Sequence, residues 1–134
     1  MSSYLEKINY YAYEIDKSDI DFLNRFFKVI NVNGRAQILN INNLESLSKI
    51  PHSDIIFMFK LLDLIDKKDN NLEKIILLLM KKTKYIVVSF STKTLSGKDM
   101  KLKRRTGFEY MLKNNDLKFD IIDEFNEIFY VIYD

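Results

Sequence analysis

The chain has 134 residues, 47% of them hydrophobic and 30% charged, with a formal net charge of +2, the profile of one ordinary globular domain with one core. It contains no cysteine, which excludes disulfides and removes the thiolates a structural zinc site would use, so no metal site is expected. The first ten residues hold Glu6, Lys7 and Asn9 rather than an apolar stretch, and the longest apolar run, Ile75 to Met80, is too short to cross a bilayer; a cytoplasmic protein without a membrane partner is expected.

Tyr and Ile enrichment predicts a strand over 8–13. Ser18 reads as the N-cap of a helix with Asp19 and Asp21 in its first turn, where the helix dipole favours acids. Ile20, Leu23, Phe26, Phe27 and Ile30 follow at helical spacing, and Asn33-Gly34 reads as the stop. A second strand is predicted over 35–41, then a helical turn over 44–49 ended by Pro51, then a third and most apolar strand over 54–59. A helical turn over 63–66 precedes a longer helix marked by Leu72, Ile75, Ile76, Leu79 and Met80. A fourth strand covers 85–90, a polar and basic loop 91–105, and a short helix 107–113 with Asn114-Asn115-Asp116 as its exit turn. Phe119 to Phe125 and Ile128 to Tyr133 are two further strands joined by Asn126-Glu127, a link so short that it permits only an antiparallel hairpin. The fold class is therefore α/β: a mostly parallel sheet with crossover helices and a C-terminal antiparallel hairpin. With no repeat, low-complexity tract or linker, 1–134 reads as a single domain.

Three segments break abruptly from apolar to polar residues: Tyr10 to Asp16, Ile56 to Leu62, and Val87 to Lys98. Buried parallel strands look like this where their carboxyl ends open into a binding crevice. Glu14 stands at the first such end, either as an acceptor for the two hydroxyls of a ribose or as a surface acid entering a helix. Lys60 follows the most apolar strand directly, where an ammonium is costly to desolvate without a task or a partner; Asp63 is the partner in reach. Phe57 and Phe59 alternate with Met58, so they either line a pocket or pack in the core. His52, beside Pro51 and Ser53, reads as exposed and inert. Charge is uneven: Lys93, Lys98, Lys101, Lys103, Arg104 and Arg105 crowd one loop, opposed there only by Asp99, while the tail is acidic. Such a loop is either solvated or a contact for a polyanion.

Four blocks, in order, carry a resemblance: Ala12-Tyr13-Glu14-Ile15-Asp16; Phe59-Lys60-Leu61-Leu62; Val88-Ser89-Phe90 with Thr92-Lys93-Thr94-Leu95-Ser96-Gly97-Lys98; and Asn126-Glu127 leading into Tyr130. On these blocks the chain resembles the S-adenosylmethionine-dependent ribosomal RNA methyltransferases that confer aminoglycoside resistance by methylating guanine N7 in the 16S decoding site. The third block is the most specific, and the likeness runs from about Tyr4 to Tyr133. It implies a Rossmann-like sheet, S-adenosylmethionine as cofactor, and ribosomal RNA or the small ribosomal subunit as partner. It places Glu14 on the cofactor ribose, Asn40 near adenine (or as a plain loop cap), Phe59 in the cofactor pocket and Lys60 near the target base as the catalytic assignment. The loop cations Lys93, Lys98, Lys101, Lys103, Arg104 and Arg105 fall to RNA, with Phe108 and Tyr110 either stacking a base or packing their helix down. Guanine N7 carries no proton, so direct displacement at a sulfonium methyl needs alignment rather than a base, in keeping with a sequence that offers no catalytic triad. The loop departs from the family in two places: Ser91 stands where proline is usual, and Met100 to Thr106 replaces a more acidic stretch.

The chain has only three glycines, Gly34, Gly97 and Gly107, none in a glycine-rich loop after an early strand. The resemblance therefore covers the C-terminal part of the family fold, with the first, central strand missing and Met1 to Lys7 read as the end of the helix after it. Two mid-sheet edges would lie open, each unpaired buried backbone group costing about 1–3 kcal/mol. The two strands could pair directly, an identical chain could cover the gap, or a partner chain or upstream residues could supply the strand; one of the first two is expected for the isolated chain. Three functions stay in view: an rRNA methyltransferase active once complete, a non-catalytic RNA-binding remnant, and a subunit of a split or dimeric methyltransferase.

Overall fold

The computed structural model describes residues 7–100 and 103–134; the expected helix end over Met1 to Lys7 lies, apart from Lys7, outside the described residues, as does Lys101. The chain divides into two compact units, 1–47 and 48–134.

In the first unit β1 (Asn9–Glu14) pairs in parallel with β2 (Asn33–Ile38), and α1 (Lys17–Val29) forms the crossover. The helix begins two residues earlier than expected. Asp16, not Ser18, is the N-cap, its carboxylate accepting the Ser18 backbone N–H at 2.7 Å. The helix also ends earlier, at Val29, with Asn31 in the left-handed conformation at φ 55°. Gly34 lies inside β2 rather than stopping the helix. A Cβ there would stand 2.8 Å from the Phe27 ring, so glycine is what lets the strand approach the helix. Ile20 and Phe27 of α1 bury against Ala36, with Ala12, Leu23 and Val32 around them. Asn24 donates to the Ala36 carbonyl (3.1 Å) and accepts its N–H (2.8 Å), pairing backbone groups of β2 that no strand among the described residues pairs. A short helix α2 (Leu44–Ser48) follows.

The second unit holds a four-stranded sheet in the order β3-β4-β6-β5. β3 (Ile55–Phe59) and β4 (Tyr85–Ser91) are parallel; β6 (Glu127–Tyr133) runs antiparallel to β4 and to β5 (Lys118–Glu124). The two-residue turn is Phe125-Asn126, one residue before the expected link, because Glu124 pairs with Glu127. Two 3-10 turns, Leu62–Leu64 and Lys68–Asn70, lead into α3 (Asn71–Met80), and α4 (Thr106–Asn114) connects β4 to β5. One face of the sheet is the core. Met58, Ile86, Val88, Phe90, Ile128, Tyr130 and Ile132 bury there, with Ile75, Ile76 and Leu79 of α3 and Phe108 and Leu112 of α4. Phe108 meets Phe90 and Tyr130 edge-on, at 5.4 and 5.5 Å between ring centroids, so it is a packing residue rather than a base platform. On the opposite face Ile55, Phe57, Phe59 and Tyr85 are exposed. The alternation placed Phe57 and Phe59 together correctly, but not in the core.

The described strands thus form two sheets. One has the order β1-β2 and the other β3-β4-β6-β5.

Candidate functional site

The carboxyl end of β3, the end of β4 and the start of β6 converge on three side chains. The Ser89 hydroxyl, with no exposed surface, donates to Glu127 Oε1 and accepts from the Lys60 backbone N–H at 3.0 Å. The same N–H reaches the Ser89 carbonyl at 3.1 Å. Lys60 has φ 52°, a left-handed backbone that costs a non-glycine residue about 1–2 kcal/mol. This turns the chain out of β3 and directs the lysine toward β6, where Nζ lies 3.8 Å from Glu127 Oε2. The Lys60 side chain is 54% exposed, that of Glu127 18%. Burial therefore does not penalise the lysine as the apolar strand before it suggested.

Asp63 is not the partner of Lys60. It accepts from Arg105 Nη1 at 3.1 Å, while the same guanidinium stacks over Phe90, 4.6 Å from the ring centroid, and reaches the Ser91 carbonyl. An open groove of about 760 Å³ lies beside this pair, with Leu62, Leu72, Met100, Thr106 and Phe108 among its lining.

The described part of the basic loop makes many contacts of its own. Thr94 receives Gly97 and Lys98 in a tight turn with Gly97 at φ 81°, and Leu95 stands exposed at the tip. Lys93 pairs with Asp99 at 2.9 Å and lies 4.4 Å from the Phe125 ring centroid; that hydrogen bond holds the Asp99 carboxyl below its ordinary pKa. Arg104 forks onto Glu109, a buried carboxylate that also accepts the Tyr130 hydroxyl at 2.7 Å. Three of the six cations assigned to RNA, Lys93, Arg104 and Arg105, thus hold acids of their own chain. Lys98 and Lys103 show no ion pair among the described residues. Tyr110 is exposed.

In the first unit Glu14 ends β1, half-buried, its Oε1 accepting the Ile15 N–H at 2.9 Å. Asn40 lies two residues beyond β2, not at its end, and its side-chain oxygen caps a local turn through the Asn42 N–H at 3.0 Å. Phe59 is exposed beside Lys60, edge-on to Phe129 at 5.7 Å. Sequence reasoning named Lys60 but passed over Ser89 and Glu127 as site residues, although both stood in the blocks that carried the resemblance. What hid their role was that the contact joins three distant segments.

Parallel strand pairs with a crossover helix in each unit, and in the second an antiparallel hairpin whose last strand inserts beside β4, are elements of the Rossmann-like methyltransferase architecture. The chain matches the family model described as ribosomal RNA methyltransferase (FmrO) over residues 3–131. It belongs to that family. The solved structure of the 16S rRNA methylase ArmA superposes with a TM-score of 0.70 at 29% identity, covering 96% of this chain and 63% of that one. An S-adenosylmethionine-dependent methyltransferase from Clostridium acetobutylicum gives 0.71 at 12% identity, covering 94% and 75%. TehB from Haemophilus influenzae gives 0.69 at 12% identity, covering 95% and 50%; these two show the fold alone. No curated protein matched by sequence. The chain spans less than two thirds of the length of ArmA and half that of TehB. No helix among the described residues is long and apolar enough to cross a membrane.

Proposed function

We propose that this chain is the RNA-facing part of an S-adenosylmethionine-dependent methyltransferase acting on guanine N7 in the 16S decoding site, with aminoglycoside resistance as the outcome. Both units would belong to one cytoplasmic domain partnered by the small ribosomal subunit. The observation that carries this reading is the meeting of Lys60, Ser89 and Glu127, drawn from three of the four family blocks, at the carboxyl ends of two parallel strands, where open α/β sheets bind ligands.

In this reading the first unit would give the cofactor nucleoside the second carboxylate oxygen of Glu14, for a ribose, and the amide nitrogen that the Asn40 turn leaves over. In the second unit, taken by itself, Phe59 would offer an exposed ring. When bound, the cofactor supplies an electrophilic methyl. Lys60 and Glu127 would orient the target base, and the basic loop, through Lys98, Lys101 and Lys103 first and Lys93, Arg104 and Arg105 as their acid partners release them, would hold the RNA backbone.

A second reading, a subunit of a split or dimeric enzyme or a non-catalytic RNA binder, is favoured by two features. The sequence given holds no glycine-rich loop, and among the described strands β1 and β3 each stand at the end of a sheet. Calorimetric titration with S-adenosylmethionine, with and without small ribosomal subunits, separates the two. Heat with cofactor supports an enzyme; silence with cofactor but binding to subunits supports the second reading; silence with both ends the proposal.

A further inference from the structure

We propose that Lys60 and Glu127 together read the Watson–Crick edge of the target guanine, Lys60 donating to O6 and Glu127 accepting from N1–H. This rests on the rRNA methyltransferase reading above and adds the source of base specificity.

The pair is not a closed ion pair. At 3.8 Å, Lys60 Nζ and Glu127 Oε2 are beyond hydrogen-bond distance, and both keep unused capacity. Glu127 Oε1 is occupied by the Ser89 hydroxyl, which fixes the carboxylate plane; Oε2 has no hydrogen-bond partner among the described residues. Lys60 is fixed from the other side, its backbone N–H held by both oxygens of Ser89. Ser89 is fully buried, so one rigid residue of the central strand β4 positions both members. The Glu127 side chain is only 18% exposed, which strengthens a hydrogen bond that its carboxylate accepts.

Guanine presents an acceptor, O6, directly beside a donor, N1–H. Adenine presents the reverse, an N6–H donor beside an N1 acceptor. A cation next to a carboxylate matches the first and opposes the second at both positions, so discrimination comes from mismatch as much as from attraction. N7 lies on the far side of O6 from N1, so a guanine held this way leaves N7 open. A methyl on N7 makes the ring cationic and N1–H a stronger donor, so the bond to Glu127 tightens along the reaction while the proton stays on N1.

The test is amide-resolved NMR of the full chain titrated with guanosine, inosine, adenosine and 2,6-diaminopurine riboside. Inosine keeps O6 and N1–H; diaminopurine riboside keeps the 2-amino group of guanosine but carries the adenine pattern. Guanosine and inosine should shift the Lys60, Ser89 and Glu127 amides with similar affinity, and the other two should bind about tenfold more weakly. Glu127→Gln should erase the preference, and Lys60→Met, at an exposed position, should do the same should the first variant fold poorly. Equal shifts from all four nucleosides, no shift at these amides, or an unchanged preference in the variants overturns the assignment. If the preference fails while the chain still binds small ribosomal subunits, the assignment falls and the rRNA reading stands; a preference without subunit binding gives the reverse.

Discussion

Tyr130 donates its hydroxyl proton to Glu109 Oε2 at 2.7 Å, inside the core between α4 and the sheet. The same oxygen of Tyr130 accepts the Arg105 backbone N–H at 2.9 Å, and Arg104 closes over Glu109 from outside. Two residues of the basic loop are thereby tied to the most buried ring of the unit. The Arg104 guanidinium holds the Glu109 carboxyl below the ordinary carboxylate range, against the desolvation that opposes it. Burial pushes the Tyr130 phenol up to about 12.

The first expectation concerns acid. The folded-state pKa of Glu109 is lowered from 4.5, so its contribution is fully present above that value and is lost as pH falls through the lower, folded value. Urea unfolding of wild type should weaken below about pH 4.5, and Glu109→Gln should lack that part of the decline. Parallel acid limbs in the two proteins would contradict this.

Alkali acts on Tyr130 with the opposite sign. Its folded pKa is raised from 10.0 to about 12, so its contribution is complete below 10 and fades between 10 and 12. Tyr130→Phe should be less stable at neutral pH by about 1–3 kcal/mol, because it leaves the Arg105 N–H and Glu109 short of a partner. It should also show no tyrosinate-linked loss in that alkaline window.

Gly34→Ala should destabilise the chain by about 1–3 kcal/mol in denaturant titrations, from overpacking alone. The new methyl would meet the Phe27 ring at 2.8 Å, and Phe27 is only 6% exposed. Restoration of stability in Gly34→Ala with Phe27→Leu would confirm the cause.

Lys60→Gly should raise stability by about 1 kcal/mol, because it relieves the left-handed backbone at φ 52° and gives up only a 3.8 Å contact made by a half-exposed lysine. It should also remove guanosine preference. A gain in stability with loss of binding is the mark of strain kept at a functional position.

Most of the fold was legible because local pattern and tertiary role agree in it. The apolar runs of β3 and β4 and the helical spacing of Ile20, Leu23 and Phe27 in α1 each mark the element that forms there. The misreadings came where one residue type serves two ends. Gly34 looked like a helix stop and is a point of close approach; Asp16 and Ser18 both suit a cap, and geometry chose the aspartate. Phe57 and Phe59 looked like core because exposure depends on which face of the sheet is covered, and the alternation does not carry that. The loop cations were visible as charge, but Arg104 and Arg105 take their acids from Glu109 and Asp63, one in the next helix and one far back in the chain. Glu127 was visible only as part of a resemblance, since its meaning lies in a contact with Ser89 across β4 and β6.

The most direct measurement of the central claim is co-sedimentation of this chain with purified small and large ribosomal subunits across a salt series. The account predicts retention on the small subunit, falling with salt, and weakened in Lys98→Ala/Lys103→Ala, while Arg104→Ala mainly lowers stability. Equal retention on both subunits, or none on either at low salt, would contradict it.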